Sequence, residues 1–170
     1  MADLATQYPQ DPGFIGVAFK TVTPTQTSET FSGKVRRAGM GISYYTWEVK
    51  YNSLTPLDLG TVNGYLSQCM GPQFSFEIIL PKISYSKAPN QTGTTPTLTA
   101  TAAVGSTSVT LTNCGNTKNV LAAGDFFKFN NHTKVYMCVS PCVSNSSGNA
   151  TLYFSCPLVS SVPSGTGVKF

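Results

Sequence analysis

Residues 47–81 combine two strand patterns with a capped helix, and this succession constrains the fold more than any other feature of the chain. Trp47, Val49 and Tyr51 alternate with Glu48 and Lys50, which predicts a strand with one apolar and one charged face. Because Trp47 shares its face with two other apolar residues, we expect it to pack into a core rather than to remain on the surface.

The helix is expected over about residues 56–70. Thr55 supplies an N-cap hydroxyl, Pro56 occupies a position where a missing N–H costs nothing, and Asp58 suits the positive end of the helix dipole. Gly71, followed by a proline, predicts the end of the helix. The apolar stripe expected to face the core consists of Leu59, Val62, Leu66 and Cys69.

The segment after the helix has the pattern of a second strand, because its apolar residues recur at every other position. Those residues are Phe74, Phe76, Ile78 and Leu80. One helix stripe and two strand faces can bury one another, and the unit contains no catalytic group. We therefore interpret it as a scaffold.

The C-terminal third is predicted to be all β. Short apolar alternations recur about every ten residues, with turns rich in Gly or Asn between them, as in a small antiparallel sandwich or barrel. The segments are residues 107–112, DFFKF, KVYMCVS, ATLYF and GVKF. Asp125 follows Gly124 and is interpreted as a turn residue whose carboxylate accepts backbone N–H bonds. Residues 144–150 are expected to form a hairpin tip.

The fold class predicted from these patterns is mainly β with one short α-helix, arranged as two small β-sandwich or barrel-like modules. Short β segments are expected around Pro24, and the three glycines of residues 33–43 predict a turn or loop between strands. Four regions follow: a flexible arm (1–12), a β-rich module with the helix (13–85), a linker rich in Thr, Pro and Gly (86–105), and an antiparallel β module (106–170).

Charge is scarce in this chain. Charged residues make up 11% of the sequence and the formal net charge is +4, so little repulsion opposes packing against neighbouring copies. The most visible basic cluster is Lys34, Arg36 and Arg37. Nucleic-acid binding calls for a denser basic stripe with interleaved aromatic residues, so we expect no nucleic-acid partner and assign these three residues to a strand edge or subunit contact.

The reactive side chains give no catalytic or metal-binding pattern. The seven carboxylates are scattered without a pair for acid–base chemistry, and His132 is the only histidine. A zinc site from His132, Cys138, Cys142 and Cys156 would require a hairpin to bring the four ligands together. The N-terminus has no signal-peptide pattern and no apolar run reaches about 18 residues. We expect free, buried thiols, no membrane span, no cofactor and no enzymatic activity.

Tyrosines near the first strand are further candidates for a binding surface. Tyr44, Tyr45, Trp47 and Tyr51 fall within eight residues, a density that suits either a sugar platform or an oligomer contact. Because Tyr44 faces away from the apolar side of the strand, it is expected to stay outside the core. Tyr44 and Tyr45 are therefore included with the basic cluster as predicted oligomer contacts.

Two segments resemble small tail proteins of tailed bacteriophages. The first is WEVKYNSLTPLDLGTVNGYLSQCMGPQFSFEIILP, with Trp on a strand, a Leu-Thr-Pro helix entry, a helix ending in Gly and an aromatic strand closing on Pro. The second is AAGDFFKFNNHTKVYMCVS followed by SGNATLYFSCPLVSSVPSGTGVKF, which looks like a β module of the same proteins. The chain differs locally, with Ser140-Pro141-Cys142 and Cys156-Pro157-Leu158 where such proteins have an uninterrupted strand and a Pro-Pro-Leu step.

The resemblance implies a structural virion protein of the tail or baseplate, made in the host cytoplasm. Such β-rich subunits form rings, here expected to be three- or six-fold, around the distal tail tube, with tube, hub or baseplate proteins as partners. The arm at 1–12 and the loop around residues 34–41 are expected to reach adjacent subunits. The alternative is a carbohydrate- or receptor-binding module of the tail that presents Tyr136, Tyr153 or the 144–149 tip to a glycan.

Overall fold

The computed structural model describes residues 7–39, 41–74, 76–81, 83–88 and 95–170, and it confirms a mainly β fold with one short helix. The elements are β1 Gly16–Val22, β2 Thr25–Glu29, β3 Val35–Gly39, β4 Tyr44–Lys50, α1 Pro56–Gln68, a 3-10 turn Gly71–Gln73, β5 Thr97–Leu98, β6 Ser108–Thr112, β7 Asn119–Leu121, β8 Phe126–Phe129, β9 Val135–Cys138, β10 Cys142–Val143, β11 Ala150–Ser155 and β12 Val168–Lys169. Among the described residues, none of the helical segments is long and apolar enough to cross a membrane.

The chain divides into two units, each built from two separate stretches of sequence. Unit 1 comprises Met1–Lys20 and Tyr45–Lys82, and unit 2 comprises Thr21–Tyr44 and Ile83–Phe170. The residues between β1 and β4 therefore belong to the same unit as the C-terminal β strands.

Unit 2 contains a six-stranded sheet that closes into a barrel-like form. Its strand order is β12-β8-β9-β11-β6-β5 with antiparallel neighbours. The two end strands meet through a bridge between Thr97 and Gly167, where the Leu98 N–H donates to Thr166 O at 3.0 Å. A Cβ on Gly167 would lie 2.7 Å from Asn130 Nδ2, so a larger residue at this seam would require the Asn130 side chain to move.

The barrel interior is filled with side chains from alternate strand positions, as the sequence pattern predicted. The rings of Phe127, Phe129, Tyr136 and Phe154 contact one another with centroids 5.3 to 6.3 Å apart. Most of these pairs are edge-to-face, the arrangement that aromatic quadrupoles favour. The rings are at most 3% exposed, and they form the centre of the larger hydrophobic core.

Residues 95–105 belong to the barrel, although their composition had placed them in the 86–105 linker. Thr97 and Leu98 form β5, Leu98 is 2% exposed, and Ala102 bridges to Val162. Strand β5 could not be recognised from composition because only one of its side chains is fully buried. Backbone bonds to β6 and to the residues before β12 hold it in place. Residues 89–94 of the predicted linker lie outside the described residues.

Asp125 connects the barrel to residues 86–88. Its carboxylate is 1% exposed and accepts hydrogen bonds from Ser86 Oγ at 2.5 Å, from the Lys87 N–H at 3.0 Å and from the Ala122 N–H at 2.9 Å. The prediction that this turn carboxylate accepts backbone N–H bonds is confirmed. Burial of this polar group is tolerated because three donors satisfy its oxygens.

Unit 1 contains β1, β4 and α1, and it confirms the predicted helix entry. Thr55 and Asp58 form a reciprocal capping box: the Asp58 N–H donates to Thr55 Oγ1 at 3.3 Å, and the Thr55 N–H donates to Asp58 Oδ2 at 3.3 Å. The core of the unit is a small aromatic cluster on one side of α1, made of Tyr8, Phe14, Tyr51, Val62, Tyr65, Cys69, Phe76 and Ile78.

Several predictions for unit 1 are wrong. Leu59 and Leu66 are 48% and 45% exposed, so the buried face of α1 is formed by Val62, Tyr65 and Cys69 instead. Strand β4 leaves Trp47 45% exposed rather than in the core. These residues fit the apolar pattern, but the core of the unit is too small to cover them.

The region after α1 also differs from the prediction of a strand over residues 74–80. Residues 71–73 form a 3-10 turn, and Glu77 makes a single parallel bridge to Gln7. Residue 75 lies outside the described residues. The aromatic ring of Phe76 packs on Tyr8 and Tyr65, so its apolar character serves a cluster rather than a sheet face.

The predicted arm over residues 1–12 is described from residue 7 onward, and that part is anchored. Tyr8 is 5% exposed, its N–H donates to Glu77 O at 2.7 Å, and its hydroxyl lies 2.7 Å from that of Tyr51. Tyr8 therefore belongs to the core of unit 1 and is not available to reach a neighbour. Residues 1–6 lie outside the described residues.

We expect Asp125→Ala to lower the free energy of unfolding by about 2–4 kcal/mol, because three donors would lose the buried carboxylate that accepts their hydrogen bonds. The matched control is Asp58→Ala, which removes a less buried carboxylate from a helix cap and should cost about 1 kcal/mol. Urea unfolding measures both values, and hydrogen exchange at the Lys87 amide should accelerate only in the Asp125 variant. Equal losses in the two variants would contradict the role given to Asp125.

Candidate functional site

The three predicted basic residues lie together on a projecting hairpin, which we call the basic hairpin and define as residues 25–39. Strands β2 and β3 pair in register from Thr25 with Gly39 to Glu29 with Val35. The three-residue loop between Thr30 and Lys34 closes with a Gly33 N–H to Thr30 O bond of 2.8 Å. Gly33 has φ +77°, the left-handed conformation that such a hairpin loop requires.

This region was predicted to be a loop, and the structure corrects that prediction for Val35–Gly39, which form a strand. The sequence VRRAG lacks apolar alternation because neither face of the hairpin is buried. A pattern of period two appears only where one side of a strand packs on a core, so β3 could not be recognised from its residues.

Every residue of β2 and β3 is exposed, and the loop carries an aromatic side chain in solvent. Phe31 is 112% exposed and Val35 is 52% exposed. Among the described strands, β2 and β3 pair only with each other. A two-stranded hairpin without a packed face is marginally stable in water, and the basic hairpin therefore has the properties of an element that a partner covers.

The charges of the basic hairpin are distributed over both of its faces. Arg36 lies opposite Ser28 and Arg37 lies opposite Thr27, and neighbouring strand residues point to opposite sides. Lys34 follows at the loop. The single carboxylate of the hairpin is Glu29, so either face presents positive charge to an approaching surface.

The C-terminal flank of the basic hairpin is attached to the barrel within unit 2. The Lys134 ammonium donates to the carbonyl oxygen of Ser43, and the Cys156 thiol lies 3.9 Å from Gly41 O. Ser43 is 5% exposed, and its hydroxyl has no hydrogen-bond partner among the described residues. The hairpin thus extends from a fixed base, a feature that the sequence did not indicate.

The two predicted tyrosines differ in their environments. Tyr44 is 47% exposed at the start of β4 and remains available for a contact. Tyr45 is half-buried and stacks on Phe19 of β1 with centroids 5.4 Å apart. Tyr45 therefore has a packing role within unit 1, and the structure does not place it on the basic hairpin with Arg36 and Arg37.

A second set of apolar residues is exposed along α1 and just beyond its C-terminal end; we call it the outer stripe and define it as Leu59, Leu66 and Met70. These residues are 48%, 45% and 64% exposed. Leu59 and Leu66 are separated by about two helical turns and align along α1, whereas Met70 lies two residues past the end of the helix in a left-handed conformation with φ +47°. Exposed apolar residues that align in this way are more informative than single ones.

His132 takes part in a hydrogen-bond chain that runs from the exposed Asn131 to the buried Tyr136. Its Nδ1 lies 2.8 Å from Asn131 Oδ1 and its Nε2 lies 2.9 Å from the Tyr136 hydroxyl, which also accepts the Val159 N–H at 3.3 Å. The amide oxygen can only accept, so Nδ1 carries the proton and Nε2 accepts from Tyr136. Burial lowers the pKa of His132, which agrees with a neutral imidazole.

An open depression of about 380 Å³ lies beside this histidine. It is lined by Lys128, Phe129, Asn130, Asn131, His132, Thr133 and Lys169. The imidazole nitrogens are both engaged in the chain described above. The depression therefore offers shape and positive charge rather than an acid–base group.

The thiols are placed as small core residues. Cys69, Cys114, Cys138 and Cys142 are at most 4% exposed, and burial raises the pKa of Cys114 to about 11 and that of Cys142 to about 12. Thiols protonated at neutral pH are poor nucleophiles and metal ligands. Across the described ranges, no cluster of three or more His, Cys, Asp or Glu residues is arranged to hold a metal ion.

The residues proposed for glycan recognition are only partly accessible. Tyr136 is 0% exposed, so the expectation that it presents its ring to a sugar is wrong. Tyr153 is 50% exposed. The 144–149 tip is closed on itself, since Asn145 Oδ1 accepts the Ser147 and Asn149 N–H groups at 2.9 and 3.0 Å.

Comparison with known proteins supplies no relative, because neither a protein-family model nor a curated protein matches the chain.

We expect the free energy of unfolding to fall as the pH drops from about 8 to 5. The pKa of His132 is lower in the folded state than its unfolded value of about 6.5, so the unfolded chain takes up the proton first and is stabilised by it. The stabilising contribution of neutral His132 is complete above that pKa and is lost as the pH falls toward the lower folded pKa. His132→Gln should show a shallower dependence in urea unfolding across this range. An identical slope in both proteins would contradict the assignment.

Proposed function

We propose that this chain is a structural subunit of an oligomeric assembly, and specifically a tail or baseplate component of a tailed bacteriophage that forms a ring or adaptor around the distal tail tube. The basic hairpin carries the proposal. It combines ten exposed strand residues, three basic side chains and a solvent-exposed Phe31 on a base attached to the barrel.

The energetic argument is that the basic hairpin gains its stability on assembly. Burying one Phe side chain contributes about 1.5–3 kcal/mol, and the backbone edges of β2 and β3 can pair with another chain. In the isolated chain these gains are absent, because both faces of the hairpin are in solvent. A partner surface would supply them, as it does for segments that become ordered on binding.

The barrel is suited to be the rigid base from which the basic hairpin extends. Its interior is occupied by four contacting aromatic rings rather than by a ligand-sized space, and its strand edges are joined at the Thr97–Gly167 seam. A closed, filled barrel is rigid and has no edge along which it would pair indiscriminately. These are useful properties in a subunit that must hold the hairpin in a defined direction.

The proposal of a phage tail protein rests on two segments that resemble small tail proteins of tailed bacteriophages. The helix unit starting at Trp47 and the β module starting at Ala122 both have the appearance of tail-protein modules. The low proportion of charged residues, 11% of the sequence, agrees with a protein whose surface is largely covered by neighbours.

The test is to replace residues 26–38 by a short Gly-Ser linker and to follow incorporation into particles by mass spectrometry. Because β2 and β3 pair only with each other among the described strands, the shortened chain should keep its thermal unfolding transition. We expect the unaltered chain at a fixed copy number per particle and the shortened chain at less than about a tenth of that number, as for loss of one essential contact. Normal incorporation of the shortened chain would refute the role of the hairpin.

The carbohydrate-binding alternative is distinguished by a glycan array with the intact chain. Tyr153, which is half-exposed on β11, is the accessible aromatic residue of that hypothesis. Selective glycan binding that Tyr153→Ala abolishes, together with absence of the chain from particles, would favour the alternative.

A further inference from the structure

Charge is divided unequally between the two units. Unit 2 has eight basic and two acidic residues, a formal charge of +6, whereas unit 1 has three basic and five acidic residues, a formal charge of −2. The basic residues of unit 2 are Lys34, Arg36, Arg37, Lys87, Lys118, Lys128, Lys134 and Lys169, and its acidic residues are Glu29 and Asp125. Since Asp125 is buried, Glu29 is the one carboxylate of unit 2 that is left to oppose its eight basic side chains.

Each unit also exposes an apolar set. In unit 2 it lies on the basic hairpin, at Phe31 and Val35. In unit 1 it is the outer stripe of α1, and α1 contains one acidic residue and no basic residue. The surfaces therefore match in chemistry: an apolar tip surrounded by positive charge, and an apolar stripe on a unit of negative charge.

The two surfaces also match in length. Five strand residues at about 3.4 Å each make the hairpin about 17 Å long, and 13 helical residues at about 1.5 Å each make α1 about 20 Å long. A hairpin lying along the helix could place Phe31 against Leu59 or Leu66 while Arg36 and Arg37 remain over unit 1.

We propose that the basic hairpin of one copy docks on the outer stripe of α1 in the next copy. This inference rests on the proposed function and specifies the contact that joins neighbouring subunits. The contact uses a different surface on each partner and is therefore heterologous, so it propagates into a ring or a filament instead of ending at a two-fold dimer. Opposite formal charges steer the approach, which makes association weaker at high salt.

The test uses two variants that each remove one side of the contact. Arg36→Glu/Arg37→Glu reverses the charge of the hairpin and leaves α1 intact. Leu59→Lys/Leu66→Lys replaces the apolar stripe by a basic one, with residues that retain good helix propensity, and leaves the hairpin intact. All four positions are exposed, and circular dichroism with thermal unfolding verifies that both variants fold.

Sedimentation velocity should show each variant alone as a monomer at concentrations where the unaltered chain associates. A mixture of the two should form a one-to-one complex of about twice the monomer mass, because a single intact hairpin faces a single intact stripe. The charge-matched control is Lys118→Glu/Lys169→Glu, at exposed positions of unit 2 outside the hairpin, and it should associate like the unaltered chain.

Three results would overturn the inference: association of the Arg36/Arg37 variant at the level of the unaltered chain, a mixture that stays monomeric, or equal loss of association in the Lys118/Lys169 control. The first and third leave the proposed function standing if the unaltered chain still enters particles, since another surface would then form the contact. An unaltered chain that is monomeric at every concentration and absent from particles would overturn both proposals.

Discussion

Closure of the six-stranded sheet at the seam between β5 and β12 is the constraint on which the rest of unit 2 depends. Backbone bonds at Leu98 and Val168 join the ends of the sheet, and the absence of a side chain at Gly167 leaves room for the amide group of Asn130. Closing the sheet encloses the aromatic rings and satisfies the outer strand edges. Strand edges that can pair with another molecule are therefore left to the small two-stranded sheets, among which the basic hairpin is the most exposed.

The two units illustrate how differently a small and a larger core treat apolar residues. The barrel core encloses nearly all of its alternating side chains, whereas unit 1 has a small cluster around Tyr8, Tyr65 and Phe76. Surface-to-volume scaling explains the contrast, since a small core covers a smaller fraction of its surface. As a consequence, apolar side chains of β4 and α1 are left in solvent, among them Trp47 and the leucines of the outer stripe.

Sequence patterns predicted the elements whose residues face a filled core. The alternation in β6, β8, β9 and β11 and the cap of α1 at Thr55 are all confirmed. The failures have physical causes. Strand β5 is held by backbone bonds in a stretch of Thr and Ala, and β3 has no buried face, so neither produces periodicity.

The candidate site could be predicted only in part, because the basic hairpin has no face that packs on a core. The clustering of Lys34, Arg36 and Arg37 was visible in the sequence, but their position on a projecting hairpin was not, because the hairpin lacks the pattern of a strand. Leu59 and Leu66 of the outer stripe were predicted to face the core together with Val62 and Cys69, since period alone cannot tell which side of a helix a small core will cover.

Placement of the thiols has a consequence for how such a molecule would behave at high local concentration. Four of the five cysteines are enclosed, and burial raises the pKa of Cys114, Cys138 and Cys142. Contact between copies would therefore not lead to covalent cross-links through the four enclosed thiols. Cys156, on the half-buried turn after β11, is the one thiol that an oxidant or an alkylating reagent can approach. Any disulfide between two copies would therefore be confined to Cys156, and a single label could be introduced at that turn.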